Sequence, residues 1–336
     1  MAKRGREQRG GESSDFDRSH VCNLARCRHN RDFSGSEMDL CPPLRIRSPT
    51  MAQAQTTTKA FQCRYRAPST RSKSDRIAGF LLDSLTGENT EEEDSEMNTE
   101  AIRYRDGVTA LTGFLAWDET TGGKRPGILV VHGGAGLDEH AKGRAQCLAD
   151  LGYVAFACDM YGDGIAGDRQ RVMARVVELR DDPLGLCRRA QAGIDFLASH
   201  PRVDGRLAAV GYCFGGMTVL ELARSGAELA GVISIHGSLK TTRPAQASHV
   251  KAKVLVCHGA LDPHVPMTDV TAFIEEMSSA AADWQLIIYG GAMHGFTHKE
   301  TAVPRTPGVA YHALADARST AATQAFLTEL FSSVGP

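Results

Sequence analysis

The stretch Leu207-Ala-Ala-Val-Gly-Tyr-Cys-Phe-Gly-Gly216, continued by Met217-Thr-Val-Leu-Glu-Leu-Ala-Arg-Ser-Gly226, decides how the chain is read. An apolar, strand-like run passes straight into a helix-like run, with only Gly211-x-Cys213-x-Gly215 between them. A turn this tight brings the backbones on either side of Cys213 nearly into contact, so the residues two places away must be small. This is the pattern of a nucleophile elbow with Cys in the place of Ser. It sets the thiol at a helix N-terminus, where the dipole and unpaired N–H groups favour a thiolate. The competing reading is a buried structural Cys beside a glycine-rich turn. The strand-to-helix setting favours a reactive Cys213.

Working outward, apolar β-rich runs recur at Gly127–Val131, Tyr153–Cys158, Gly231–Ile235, Lys253–Cys257 and Gln285–Tyr289. Most are uninterrupted rather than alternating, as in strands covered on both faces of a parallel sheet. Helix-like stretches fall at about 139–151, 184–200, 215–226, 267–281 and 310–333. Upstream, alternating segments at 100–105 and 107–117 meet at Asp106-Gly107, a hairpin turn signal. The pattern predicts an α/β fold with a mostly parallel central sheet, helices on both faces and an N-terminal hairpin.

A Cys nucleophile needs a base and a carboxylate that orients the base. Downstream of the elbow, the strand Lys253–Cys257 runs into His258-Gly-Ala-Leu-Asp262-Pro-His-Val-Pro266. The strand Gln285–Tyr289 runs into Gly-Gly-Ala-Met-His294-Gly-Phe296. Both Asp262 and His294 thus follow the C-terminal ends of strands, where open parallel sheets build their sites. The order nucleophile, acid, His is that of an elbow enzyme. Cys213, Asp262 and His294 are therefore the candidate catalytic residues. Asp159 is the rival acid, but it precedes the nucleophile and is expected to shape the loop Asp159-Met-Tyr-Gly162. His200, His249 and His312 read as surface or cap residues, and His258 as packed beneath its loop.

Attack on a carbonyl leaves charge on oxygen, which requires N–H donors aimed at it. Phe214, next after Cys213, supplies one backbone N–H. The glycine-rich loop His132-Gly-Gly-Ala-Gly-Leu137 supplies the other, from Gly133 or Gly134. His132, Gly133, Tyr161, His264 and His298 are candidates to line the pocket.

The first hundred residues differ in kind. Residues 1–76 are rich in Arg and Ser without periodicity, and 87–100 form an acidic polar stretch. Such composition offers too little apolar surface to offset chain entropy. Acidic Glu7, Glu12, Asp15 and Asp17 argue against a transit peptide. His20, Cys22, Cys27 and His29 match no standard zinc spacing. Residues 1–97 are expected to be disordered or a non-native extension, with Met97 opening the protein proper and the folded domain spanning 98–334.

In bulk, 336 residues with 42% hydrophobic content suffice for a sizeable core. A net charge of −2 gives no support to nucleic-acid binding. No run approaches the roughly 18–20 apolar residues that span a bilayer. Nine cysteines at irregular spacing argue against a disulfide framework and for a reducing, cytoplasmic setting.

Taken together, Gly211–Gly216, Pro126–Leu137, Gly152–Gly162, His258–Pro266 and Ala292–Phe296 resemble the dienelactone hydrolase family of the α/β-hydrolase superfamily, over roughly 98–334. The resemblance implies hydrolysis of a carboxylic ester or lactone by Cys213, His294 and Asp262, with Phe214 and Gly134 as oxyanion donors and neither metal nor cofactor. Two positions depart from the family. Gly133 stands where a Glu helps control the thiol, and His298 where an Arg holds the substrate carboxylate. Hydrolysis carries over better than dienelactone specificity. The alternative is a non-catalytic member of the fold that binds a ligand or partner, which an incomplete set of catalytic residues would favour.

Overall fold

The computed structural model describes residues 97–332, apart from 121, 163, 164, 167 and 302–305. The expectations for the sequence before Met97, including the zinc reading, lie outside the described residues. β1 (Met97–Asp106) and β2 (Thr109–Asp118) form the expected hairpin, in unbroken antiparallel register from Met97↔Asp118 to Asp106↔Thr109. Gly107 turns it at a positive φ of 56°, a conformation open to glycine without steric cost. Residues 97–100, part of the stretch expected to be linker, are already strand.

The remaining strands are β3 (Arg125–Val131), β4 (Val154–Cys158), β5 (Val203–Tyr212), β6 (Gly231–Ile235), β7 (Lys253–Gly259) and β8 (Trp284–Tyr289). They join the hairpin in one eight-stranded sheet of order β1-β2-β4-β3-β5-β6-β7-β8. β2 runs antiparallel to β4, and every pairing from β4 through β8 is parallel. The helices are α1 (Glu139–Asp150), α2 (Arg169–Asp181), α3 (Pro183–Ser199), α4 (Phe214–Arg224), α5 (Met267–Ser279) and α6 (Ala313–Phe331).

Strand alternation sorts the core into two layers. Leu129, Val131, Phe156, Ala209 and Val254 face α3, α4 and α5, where Leu197, Val219, Leu220 and Phe273 meet them. Ile128, Val130, Ala155, Val210, Ile233 and Leu255 face α1 and α6, against Leu148, Phe326 and Leu327. β4 and β6 are buried along their whole length, which explains their uninterrupted apolar sequences. β8 is the exception. As an edge strand it leaves Ile288 40% exposed. Among the described residues, no helix is long and apolar enough to cross a membrane.

The strand order also locates a crevice. From β3 the chain steps outward to β4, then returns to β5 on the other side of β3. The loops leaving β3 and β5 therefore diverge, which opens a space at the C-terminal edge of the sheet.

Candidate active site

Cys213 sits between β5 and α4 as the N-cap of the helix, with φ 54° and ψ −110°. A non-glycine residue in such a conformation stores about 1–3 kcal/mol of strain, held here by packing on both sides. A Cβ on Gly211 would collide with the Gly215 carbonyl, and one on Gly215 with the Val131 carbonyl. The two glycines of the elbow are thus required by backbone contact. The Cys213 N–H donates to the Ile235 carbonyl at 3.0 Å, which ties the turn to the end of β6.

The residues singled out downstream meet at this thiol. His294 Nε2 lies 3.1 Å from Cys213 Sγ, and His294 Nδ1 lies 2.7 Å from Asp262 Oδ2. The other carboxylate oxygen, Oδ1, accepts the N–H groups of His264 and Val265 at 2.8 and 3.2 Å. Asp262 is only 4% exposed and has both oxygens engaged. The loop carrying His294 is laced to the segment after it: His294 N–H donates to the Gly308 carbonyl, and Ala310 N–H donates to the His294 carbonyl, each at 3.1 Å.

Electrostatics favour an ion pair. Burial opposes ionisation of Cys213, but the charge and hydrogen bond of His294, with the N–H groups of Gly134 and Phe214, outweigh it and draw the thiol below its ordinary value. Burial also opposes the imidazolium. Cys213 and Asp262 nonetheless push His294 up to about 10. For Asp262, the hydrogen bond and charge of His294 outweigh burial and hold the carboxyl below its usual range. The contrast with other free thiols is sharp: burial pushes Cys187 and Cys257 each up to about 11, and Cys158 higher still.

Of the pocket candidates, His132 and Tyr161 are fully buried beneath the β3 loop. His264 is exposed, its ring centroid 5.3 Å from that of His294. Gly133 and His298, the two departures from the family pattern, turn out to be neighbours. A Cβ on Gly133 would lie 3.5 Å from His298 Nε2. Burial, then the charges of Arg144 and His294, push His298 down to about 4. Asp159 shapes its loop, as expected: Oδ1 accepts the Tyr161 and Gly162 N–H groups, and Oδ2 accepts that of Thr112. His312 caps α6 by accepting the Ala315 N–H.

Sequence reasoning missed four residues around the site. His236 follows β6, is fully buried, and stands 5.5 Å from His294 between ring centroids. His140, in the first turn of α1, stacks on His298 at 3.8 Å. Thr297 Oγ1 joins the two, 2.9 Å from His236 Nε2 and 3.1 Å from His140 Nε2. Arg144 underlies them, donating to Asp316 at 2.5 Å, to the Thr297 carbonyl at 3.2 Å and to His140 at 3.4 Å. Burial keeps His236 and His140 well below the ordinary histidine value. The position of His236 at a strand's C-terminal end was a usable signal. His140 and Arg144 carried none. Among the described residues, no group of three or more His, Cys, Asp or Glu side chains could hold a metal.

Comparison with known proteins identifies the family. The family model for the dienelactone hydrolase family matches residues 111–331. An uncharacterised protein of Caenorhabditis elegans, K02A2.1, is 39% identical over 146 residues, which cover 43% of this chain and 92% of that protein. A putative carboxymethylenebutenolidase of Methylorubrum extorquens is 30% identical over 188 residues, covering 52% of this chain and 64% of that one. Among solved structures, the dienelactone hydrolase-like promiscuous phosphotriesterase P91 from metagenomic libraries is 40% identical. It superposes with a TM-score of 0.67, over 70% of this chain and 99% of its own. The chain belongs to the dienelactone hydrolase family of α/β-hydrolases and is an ester or lactone hydrolase.

Proposed function

We propose that the chain hydrolyses neutral carboxylic esters or lactones through a thioester acyl-enzyme, with Cys213 as nucleophile, His294 as proton carrier and Asp262 as its orienting carboxylate. The observation that carries this reading is the hydrogen-bonded chain Cys213 Sγ to His294 Nε2 and His294 Nδ1 to Asp262 Oδ2. The Cys213 thiolate attacks the carbonyl carbon, and the new C–S bond leaves a negative charge on the carbonyl oxygen. The N–H groups of Gly134 and Phe214, which already face Cys213, stabilise that oxyanion. As the oxyanion collapses, the ester C–O bond breaks and His294 gives its proton to the departing alkoxide. His294, now neutral, takes a proton from water. The resulting hydroxide adds to the thioester, and loss of the thiolate releases the acid.

The preference for neutral substrates rests on His298 and Gly133. With His298 held neutral and the Arg144 guanidinium engaged by Asp316 and Thr297, neither of these two presents a bidentate cation to a substrate carboxylate. Replacing Cys213 with Ala tests the reading. Hydrolysis of a chromogenic ester should vanish while the fold is kept, and wild-type turnover in that variant would refute it. The 40% identity to P91 supports a second reading, that the same thiol also attacks neutral phosphotriesters. Release of aryl alcohol from such a triester, lost in Cys213→Ala, is its test.

A further inference from the structure

The Gly133–Gly134 peptide carries the N–H assigned to the oxyanion, yet neither flanking residue has a Cβ to restrict it. A Cβ on Gly134 would meet nothing within 4 Å. A peptide between two glycines rotates at little steric cost. Flipped, it would turn a carbonyl oxygen toward the thiolate in place of an N–H. Something must therefore hold it, and the surrounding hydrogen bonds show what does.

His132 Nδ1 lies 2.7 Å from the Gly133 carbonyl oxygen, and Met160 N–H donates to His132 Nε2 at 3.1 Å. A nitrogen that accepts a backbone N–H carries no proton of its own. The neutral ring must then bear its proton on Nδ1, and it donates that proton to Gly133. His132 is fully buried, its ring centroid 4.6 Å from Tyr161 and 6.3 Å from Phe214, the other oxyanion donor. Burial keeps the ring neutral, in agreement with this tautomer. The Gly133 carbonyl also accepts the Gly136 N–H at 3.2 Å, and Tyr161 Oη lies 3.3 Å from the Gly134 carbonyl.

In a trans peptide the C=O and N–H point in opposite directions within one plane. Fixing the Gly133 oxygen therefore aims the Gly134 N–H the other way, toward Cys213. We propose that His132 is a positioning residue of the hydrolase, its Nδ1–H holding the Gly133 carbonyl so that the Gly134 N–H is set for the oxyanion before substrate arrives. This inference rests on the proposed roles of Cys213 and Gly134.

Two substitutions separate positioning from packing. In His132→Asn the side-chain NH2 falls near the place of Nδ1 and keeps the donor to Gly133. In His132→Gln the amide reaches toward the place of Nε2, keeping a partner for Met160 but no donor for Gly133. His132→Gln should lower kcat for ester hydrolysis on the order of 10²-fold, the usual effect of losing one oxyanion donor, with KM changed by less than about threefold. His132→Asn should restore most of that loss.

Alkylation of Cys213 by iodoacetamide builds no oxyanion. Its alkaline plateau should stay at the wild-type rate in His132→Gln, while its pH midpoint rises because the thiolate has lost the Gly134 N–H. The proposal is overturned if His132→Gln keeps wild-type kcat, if both variants lose activity equally, or if the alkylation plateau falls in step with kcat. Hydrolysis that persists in Cys213→Ala would instead refute the parent reading. The alkylation midpoint would still decide whether His132 aims the Gly134 N–H at the thiolate.

Discussion

Asp262→Asn is the perturbation whose consequence the geometry defines most fully. Oδ1 is the acceptor for the His264 and Val265 N–H groups at 2.8 and 3.2 Å, so the amide oxygen of Asn must take that place. Its NH2 then faces His294 Nδ1 across the 2.7 Å contact. Nδ1 has to become an acceptor, and the ring proton moves to Nε2, beside the sulfur 3.1 Å away. That tautomer cannot take a proton from the thiol, and the imidazolium loses its carboxylate partner. Losing one charge-assisted hydrogen bond costs about 1.5–3 kcal/mol, or about 10- to 10²-fold in rate at 1.36 kcal/mol per decade. The wrong tautomer adds to this, up to about the 10⁴-fold seen when the acid of a serine triad is made an amide. Steady-state hydrolysis of a chromogenic ester should thus show kcat down by about 10²- to 10⁴-fold, with KM little changed. A folded Asp262→Asn variant within about threefold of wild-type kcat would refute the reasoning.

Other outcomes follow from the same geometry. Because His294 draws the Cys213 thiol down, iodoacetamide labelling of Cys213 should reach half its plateau below pH 9.0, the ordinary thiol value, and outpace Cys158, Cys187 and Cys257. A midpoint at or above that value would contradict the ion pair. Hydrolysis should fall on the alkaline side as His294 loses its proton near about 10. A neutral lactone should be turned over with kcat/KM at least equal to that of its carboxylated analogue, since His298 and Gly133 offer no cation. A strong preference for the carboxylate would overturn that specificity. We further propose that residues 1–96 are dispensable to the hydrolase. A chain starting at Met97 should be soluble and as active as the whole, and loss of folding would move the boundary.

Much of the sheet was legible because parallel strands covered on both faces leave uninterrupted apolar runs, as Gly231–Ile235 did to the residue. The trio Cys213, Asp262 and His294 could be picked out for a related reason. Each follows a strand end, and backbone contact at Gly211 and Gly215 leaves a glycine signature. α2 was not legible: within Arg169–Asp181 only Val172 and Leu179 are buried, too few to mark a helical face. The insertion of β4 between β2 and β3 was also hidden, since apolar runs do not say which strands pair. Nor could sequence bring His140 and Arg144 from α1 to the loop after His294, 157 and 153 positions away at Thr297. Their role arises from packing α1 and that loop on one side of the sheet. The same holds for His298 and Gly133, flagged separately as departures and found side by side.

The central claim is a covalent thioester on Cys213, and intact-protein mass spectrometry tests it most directly. Wild-type protein mixed with an activated ester of a slowly hydrolysed acid, then quenched in acid within the first turnover, should gain the mass of one acyl group. Peptide mapping should place that group on Cys213, hydroxylamine should remove it, and Cys213→Ala should not acquire it. Turnover of the ester with no acyl adduct under those conditions, or an adduct on any other residue, would contradict the account.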